Sequence, residues 1–194
     1  MGAPLHPLQI GAMIDFVDWW EIERPTFDGA RCLADAAAAN CTAESAHGVA
    51  RLLVLRAAVA AIRDGDTIQP RYAAAPYLAA LFAVDDPEAG ALWECLASIR
   101  CNDIGRLATS LHEVARICAT RDASGGARSF GEIAYEAALA TGRWEAANYA
   151  ALLLERLAEL DECHVAADRW GGRADVHARR MLRVKRQTSR KRPL

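Results

Sequence analysis

Long apolar runs, paired cysteines and glycine-rich phosphate loops are absent from this sequence, and each absence excludes a class of protein. No apolar stretch approaches the ~20 residues that a membrane-spanning helix needs, so no membrane span is predicted. The six cysteines stand singly, without a CxxC or HxxxH pattern, which predicts reduced, mostly buried thiols of a cytoplasmic protein rather than disulfides or a zinc site. The sequence has no dinucleotide fingerprint, phosphate loop or nucleophile elbow, so no cofactor is predicted and none of these motifs supports catalysis.

Aromatic residues are also scarce, at 7% of the chain, although 53% of the residues are hydrophobic. Alanine supplies much of that fraction, and alanine is the best helix former and a poor strand residue. We therefore predict an all-α fold, a bundle of about eight helices in two packed subdomains. The predicted divisions are an N-terminal helical subdomain over 1–119, a helical hairpin over 129–168 and a basic C-terminal segment over 169–194.

Capping residues and glycines predict where several helices begin and end. One helix is expected between Thr42 and Gly65, and the run Asp-Asp-Pro-Glu at 85–88 predicts the start of another. A capping box at 129–132 predicts a helix start after the loop that joins the two subdomains. Gly142 is expected to separate the two helices of the hairpin, at about 130–140 and 143–168, and the glycine pair that follows predicts a break before a basic terminal helix.

Charge is divided unequally along the chain. Residues 169–194 contain ten Lys or Arg and a single acidic residue, so this segment carries +9. The whole chain carries −2, which leaves −11 for residues 1–168. A basic end on an acidic body favours contact with phosphate backbones or with acidic protein surfaces.

We predict that this basic segment contacts the phosphates of DNA or RNA. It has no aromatic residue after Trp170, so phosphate contact rather than base stacking is expected of it. Docking on the acidic body of the same chain, an acidic protein partner and an anionic membrane surface remain alternatives, the last least favoured because the segment offers little apolar area. The residues predicted to bind nucleic acid are Arg173, Arg179, Arg180, Arg183, Lys185, Arg186, Arg190, Lys191 and Arg192.

A second hypothesis concerns Arg106 and His112 on one predicted helix. Their spacing, Arg-x5-His, resembles the Arg-x4-6-His signature of the HEPN ribonucleases. Those enzymes are small helical proteins that act as dimers. That resemblance implies proton transfer by His112 and stabilisation of the phosphodiester by Arg106. An arginine and a histidine on the surface of a helix are the simpler interpretation. Cleavage of labelled RNA that is lost in His112→Ala would distinguish the two.

Neighbouring tryptophans indicate a surface for partners. Trp19 and Trp20 lie about 100° apart on a predicted helix, so both cannot face one core. One of them is therefore expected at an interface with a protein partner or with a second copy of the chain. A helical protein-interaction or immunity module with an acidic surface is a further alternative function.

Three predicted helices follow one another over about residues 100–160. They are an arginine- and leucine-rich helix at 106–116, an aromatic-initiated helix at 129–139, and a final helix that holds Trp144 and Leu152-Leu153-Leu154. This part of the chain resembles the helical small subunit of Cascade-type CRISPR effector complexes. The resemblance implies a non-catalytic subunit of an antiviral defence complex that lies along nucleic acid through basic side chains. Such side chains here are Arg100, Arg106, Arg116, Arg121, Arg128 and the basic segment. The acidic body departs from that family, whose surface is usually basic.

Overall fold

A computed structural model describes residues 43–65, 74, 78, 86–121 and 123–190, and it describes the side chains of these residues except those of 43–46, 64 and 185–190. These residues form six helices and no strand, which confirms the all-α fold. Contacts divide the chain into two compact units, Met1–Asn102 and Asp103–Leu194. The stretch 120–129, where the sequence predicted a loop joining the two subdomains, lies within the second unit. The count of about eight helices stays a prediction.

The first unit contains helices α1, Ala43–Val59, and α2, Pro87–Arg100. A π-helical turn at Ala60–Asp64 continues α1, and Gly65 ends it in the left-handed conformation with φ 69°. Asp86 begins α2: its carboxylate accepts hydrogen bonds from two backbone N–H groups of the first turn. Both predicted signals, the glycine stop and the Asp-Pro start, are confirmed. The two helices contact each other. Their buried apolar residues include Leu53, Val54, Leu92 and Ile99.

The second unit contains four helices of a regular pattern. Helices α3, Ile104–Thr120, α4, Ser124–Ala140, and α5, Trp144–Leu160, each have 17 residues, and α6, His164–Arg190, has 27. Three-residue turns join them, so successive helices pack as antiparallel neighbours. Each helix contacts the next, and α3 also contacts α5.

The turns between these helices close in the same way. At 121–123, 141–143 and 161–163, the N–H of the third turn residue donates to the carbonyl five residues earlier, at 2.9–3.0 Å. The middle residue of two of these turns is left-handed: Gly142 has φ 66° and Glu162 has φ 55°. This repeated closure gives the unit its regular spacing.

The core of the second unit is built from small residues and a few large ones. Phe130, Leu111 and Leu154 are almost completely buried, and alanines fill the space between the helices. At Gly131, an added Cβ would lie 3.1 Å from a Leu154 methyl carbon, so a glycine permits the close approach of α4 and α5. The predicted tight packing of alanine-rich helices is what the structure shows.

Two helix boundaries differ from the sequence-based expectation. Helix α4 begins at Ser124, before the expected capping box, and Ser129 donates its hydroxyl hydrogen to the Gly125 carbonyl instead of capping. Ala127 is fully buried, so tertiary packing outweighs the poor helix propensity of the two glycines before it. The expected helix at 143–168 is also wrong, because it ends at Leu160 and a turn precedes α6.

The glycine pair in α6 does not break the helix, which corrects the prediction of a break at that point. The Glu155 carboxylate of α5 lies against the backbone at Gly171, where a Cβ would collide with it. A glycine therefore serves helix–helix contact here, and the segment from His164 to Arg190 is one helix.

The predicted interface residues Trp19 and Trp20 lie outside the described residues. Between the two helices of the first unit, Ala74 and Leu78 are described, and both are helical and buried. Four cysteines are described, and none of them forms a disulfide within the described part of the chain; Cys95 and Cys118 are buried, whereas Cys101 and Cys163 are exposed. Among the described helices, none is long and apolar enough to cross a membrane.

Candidate functional site

Helix α6 is anchored along one side by small and aromatic residues. Ala167, Ala174 and His177 are buried, and Trp170 and Met181 are half-buried, at successive spacings of three and four residues. This spacing places them on one side of the helix. This buried side is hard to identify in the sequence because alanine, glycine and histidine do not stand out as an apolar stripe.

His177 is the polar centre of this buried side. Its side chain is 4% exposed, and its Nε2 is hydrogen-bonded to the Tyr135 hydroxyl of α4 at 3.0 Å. Its ring stacks on Trp144 of α5, with centroids 5.8 Å apart and an interplanar angle of 16°. Burial lowers the pKa of His177, and the nearby charges of Arg180 and Arg173 lower it further. The imidazole is therefore neutral near pH 7 and joins three helices.

Arginines form a stripe beside the buried side of α6. At about 100° per residue, positions 169, 173, 180 and 183 fall within about 80° of one another around the helix axis. Between the first and the last of them the helix rises about 21 Å. We call these four side chains the α6 arginine stripe: Arg169, Arg173, Arg180 and Arg183.

Aromatic rings support three members of this stripe. The Arg173 guanidinium lies 4.4 Å from the centre of the Trp170 ring and 5.4 Å from that of Tyr135. The Arg180 guanidinium lies 4.6 Å from the centre of the Trp144 ring, and that of Arg169 lies 5.8 Å from Trp170. These cation–π contacts hold the cations in place without neutralising them.

Acidic groups take up little of the charge on this helix. Arg179 approaches Asp175 at 3.9 Å, but both side chains are about three-quarters exposed, so the ion pair is weak. Arg183 is exposed and makes no ion pair with a described residue. Lys185, Arg186 and Arg190 belong to α6, but their side chains are not among those described. Lys191 and Arg192 lie outside the described residues. Their predicted phosphate contacts stay predictions.

A pocket of about 460 Å³ opens beside the stripe. This volume falls within the range of about 300–1,000 Å³ that is usual for small-molecule sites. The start of α5, the middle of α3 and the later part of α6 enclose it. The lining residues are Thr109, His112, Arg143, Trp144, Glu145, Ala146, Tyr149, Met181 and Val184.

Aromatic rings and a few polar groups give the pocket its chemistry. Tyr149 is 51% exposed, and its ring centre lies 6.3 Å from that of His112. Burial lowers the pKa of His112, while Glu113 raises it and Arg116 lowers it by smaller amounts. The Tyr149 hydroxyl donates to the Glu145 carboxylate at 3.5 Å. Arg143 adds a cation to the lining, so the pocket is aromatic with one basic and one acidic group.

The structure does not bring Arg106 and His112 to one place within the chain. The two residues are six positions apart on α3, which places them about 120° apart around the helix. His112 lines the pocket, whereas Arg106 is exposed elsewhere and does not line it. The ribonuclease pairing across a dimer stays a prediction.

A second polar cluster lies in the first unit. Ligand-type atoms of His47, Asp86 and Glu88 lie within 4.8 Å of one another, an arrangement that metal sites share. Here the buried Glu88 carboxylate is bound through both oxygens by the Arg51 guanidinium, and His47 Nε2 lies 2.8 Å from Asp86. The cluster therefore joins α1 to the start of α2 through internal ion pairs.

Sequence reasoning did not identify the pocket, Arg143 or the buried role of His177. The pocket depends on α5 meeting α6, a long-range contact that no local pattern encodes. One signal was available: Ala167, Trp170, Ala174, His177 and Met181 repeat at three and four residues, which predicts a buried stripe. No family model, curated protein or solved structure matches the chain.

Proposed function

We propose that this chain is a non-catalytic helical subunit of a nucleic-acid-handling complex and that its second unit contacts the phosphate backbone through the α6 arginine stripe. The observation that carries this proposal is the alignment of four arginines on one side of a helix whose acidic residues, Asp168 and Asp175, lie on another side. A phosphate backbone is the extended anion that such a row of cations fits.

The charge of the second unit supports contact with a polyanion. Residues 103–194 contain sixteen basic and twelve acidic residues, a net charge of +4, whereas residues 1–102 carry −6. Within this unit, the positive charge is concentrated on α6. Phosphates would therefore be attracted to this helix rather than to the chain as a whole.

The ring contacts favour binding by reducing its entropic cost. A free arginine side chain loses about 2 kcal/mol of rotamer freedom when it is immobilised. Arg173 and Arg180 already rest on aromatic rings, so part of that freedom is lost before a ligand arrives. Their guanidinium edges keep N–H groups with which phosphate oxygens can be bound.

The resemblance of about residues 100–160 to the Cascade small subunit agrees with this role. A subunit of that kind would take protein partners in a larger assembly and contribute side chains to the nucleic acid rather than chemistry. We propose the same division of work here. The acidic first unit, at −6, is then the surface available to a basic protein partner.

A pair of exposed arginines tests the proposal. Arg169→Ala with Arg183→Ala removes two stripe cations that are not needed for packing. Fluorescence anisotropy with labelled 20-nucleotide DNA and RNA strands at 50 mM salt should show binding weakened about tenfold or more, because a hydrogen bond to a charged group contributes about 1.5–3 kcal/mol. Deletion of 173–194 would be a poorer test, because it removes buried Ala174 and His177.

A matched control is available on other helices of the same unit. Arg116→Ala with Arg156→Ala removes the same charge from exposed positions on α3 and α5. The resemblance counts Arg116 among the side chains along nucleic acid, but the proposed contact is the α6 arginine stripe, and each control arginine pairs with a glutamate three residues away. We expect less than a twofold effect from this pair. Equal weakening by both pairs, or no binding by the wild-type chain at low salt, would contradict the proposal.

A further inference from the structure

The pocket beside α6 has an aromatic lining that the phosphate contact does not explain. Two aromatic side chains line it from α5, Trp144 and Tyr149, and Met181 and Val184 line it from α6. A backbone-tracking surface has no need of a ring-lined cavity. The basic segment itself lacks aromatic residues after Trp170, but the fold places rings of α5 alongside it.

One of these rings is fixed and the other is presented to solvent. Trp144 is held between elements by its stack on His177 and by Arg180, at 5.8 and 4.6 Å. Tyr149 is half-exposed, although an aromatic side chain of this size is usually more buried. A rigid ring and an accessible ring in one cavity suit the entry of a planar, aromatic group.

The cations at the pocket indicate what accompanies that planar group. Arg143 lines the pocket, Arg180 rests on the Trp144 ring, and Arg183 precedes the lining residue Val184 in α6. Trp144 thus belongs both to the pocket and to the support of the stripe. A ligand that contacts both the pocket and the α6 arginine stripe would be planar and apolar at one end and anionic at the other.

We infer that the pocket receives an unstacked nucleobase from a single strand whose phosphates lie on the α6 arginine stripe. This inference rests on the proposed function. The base would contact the rings of Trp144 and Tyr149, while the Glu145 carboxylate offers an acceptor for an exocyclic amino group. Duplexes, whose bases are stacked and paired, would then bind more weakly than single strands of equal length.

Abasic strands test the base contact apart from the phosphate contact. A 12-nucleotide single strand and a strand of equal length with abasic sugars carry the same phosphates. Base–aromatic stacking contributes about 1–3 kcal/mol per base, so the wild-type full chain should bind the base-bearing strand about 5- to 150-fold more tightly. Tyr149→Ala should remove most of this difference, and Tyr149→Phe, which keeps the ring, should retain it.

The result pattern separates this inference from the proposed function. Suppose that the base-bearing and abasic strands bind equally tightly while Arg169→Ala with Arg183→Ala still weakens the binding of both. That result would overturn the nucleobase pocket and leave the phosphate contact supported. Failure of both strands to bind would overturn both. Suppose instead that Tyr149→Ala changes the oligomeric state, measured as the molar mass in solution, and still binds the base-bearing strand more tightly than the abasic strand. That result would assign the pocket to self-association and overturn the inference.

Photocrosslinking gives a positive readout that needs no variant. A single strand carrying 5-bromouracil, irradiated with the wild-type chain and digested with trypsin, should be attached to the peptide 144–156, which holds Trp144 and Tyr149 between two arginine cleavage sites. Crosslinks found only outside this peptide would overturn the inference.

Discussion

At the scale of single residues, His177 shows how one polar side chain joins three helices. It lies on α6, is hydrogen-bonded to Tyr135 of α4 and stacks on Trp144 of α5. Its Nδ1 is buried and has no hydrogen-bond partner among the described residues. Protonation there would place a charge in an apolar site next to two arginines, so the folded state favours the neutral ring.

Acid should therefore destabilise the second unit through His177. The unfolded chain takes up a proton near the ordinary pKa of about 6.5, whereas the lowered pKa delays uptake in the folded state. The contribution of the neutral His177 to the free energy of unfolding is then fully present above about pH 6.5, and it is lost as the pH falls below that value. Urea unfolding at pH 7.5 and 5.5 should show a smaller loss in His177→Phe than in the wild type. His112, whose pKa is also lowered, accounts for part of what remains.

An exposed histidine on the same helix provides the control. His164→Phe lies at the start of α6, outside the buried cluster, and should leave the pH dependence of the wild type unchanged. If the free energy of unfolding falls by the same amount from pH 7.5 to 5.5 in His177→Phe and in His164→Phe, His177 does not determine the acid sensitivity.

The predicted basic residues from Arg173 to Arg190 lie on a helix, as expected, but their surroundings were not foreseen. The sequence shows that Arg173 and Arg180 are basic; it does not show that Trp170 and Trp144 lie beneath them. Trp144 is 36 positions away from Arg180, and only the packing of α5 on α6 brings them together. Side-chain environments of this kind depend on tertiary contacts that local patterns do not contain.

At the scale of elements, the turns of the second unit determine the direction of each helix. Left-handed residues occur at Gly142 and Glu162, and only glycine adopts this conformation without steric cost. The same backbone hydrogen bond closes both turns, so they differ mainly in the side chain at this position.

Exchanging residues at these two turns should change stability in opposite directions. Gly142→Ala should lower the free energy of unfolding by about 1 kcal/mol, because a left-handed L-residue costs about 1–2 kcal/mol while no neighbour lies within 4 Å of the added Cβ. Glu162→Gly should raise it by up to about 1 kcal/mol, less the chain entropy that glycine adds to the unfolded state. Denaturant unfolding measures both, and a stabilised Gly142→Ala would contradict the expectation.

Helix starts with a strong chemical signal were predicted well, and those determined by packing were not. Asp86 and Pro87 begin α2 as expected, since capping acts within one turn of the chain. The glycines at 125–126 and 171–172 lie inside helices because burial of Ala127 and contact with Glu155 outweigh their low helix propensity. Propensity is a weak guide wherever helices touch.

At the scale of the whole molecule, charge differs between the two units rather than being spread over the chain. The net charge of −2 conceals a first unit of −6 and a second of +4. Binding to a polyanion should therefore depend on local charge and respond strongly to salt, even though the chain as a whole is slightly acidic.

The salt dependence of binding should report the number of phosphates contacted. Each phosphate neutralised on a single strand contributes about −0.7 to the slope of log K against log salt, so the four stripe arginines predict a slope of about −3 or steeper. Anisotropy titrations from 50 to 300 mM salt measure it. A slope near zero would show that the association is not driven by phosphate contact.

Helix α6 has a consequence for the way in which an assembly is built around this chain. It is about 40 Å long, whereas α5 is about 25 Å, and it runs on past the residue at which α5 begins. The overhanging turns have no α5 alongside them. Under the proposed function, a strand and a neighbouring subunit would contact α6 from opposite sides, and the pocket lined by Trp144 and Val184 would be the point where the strand enters.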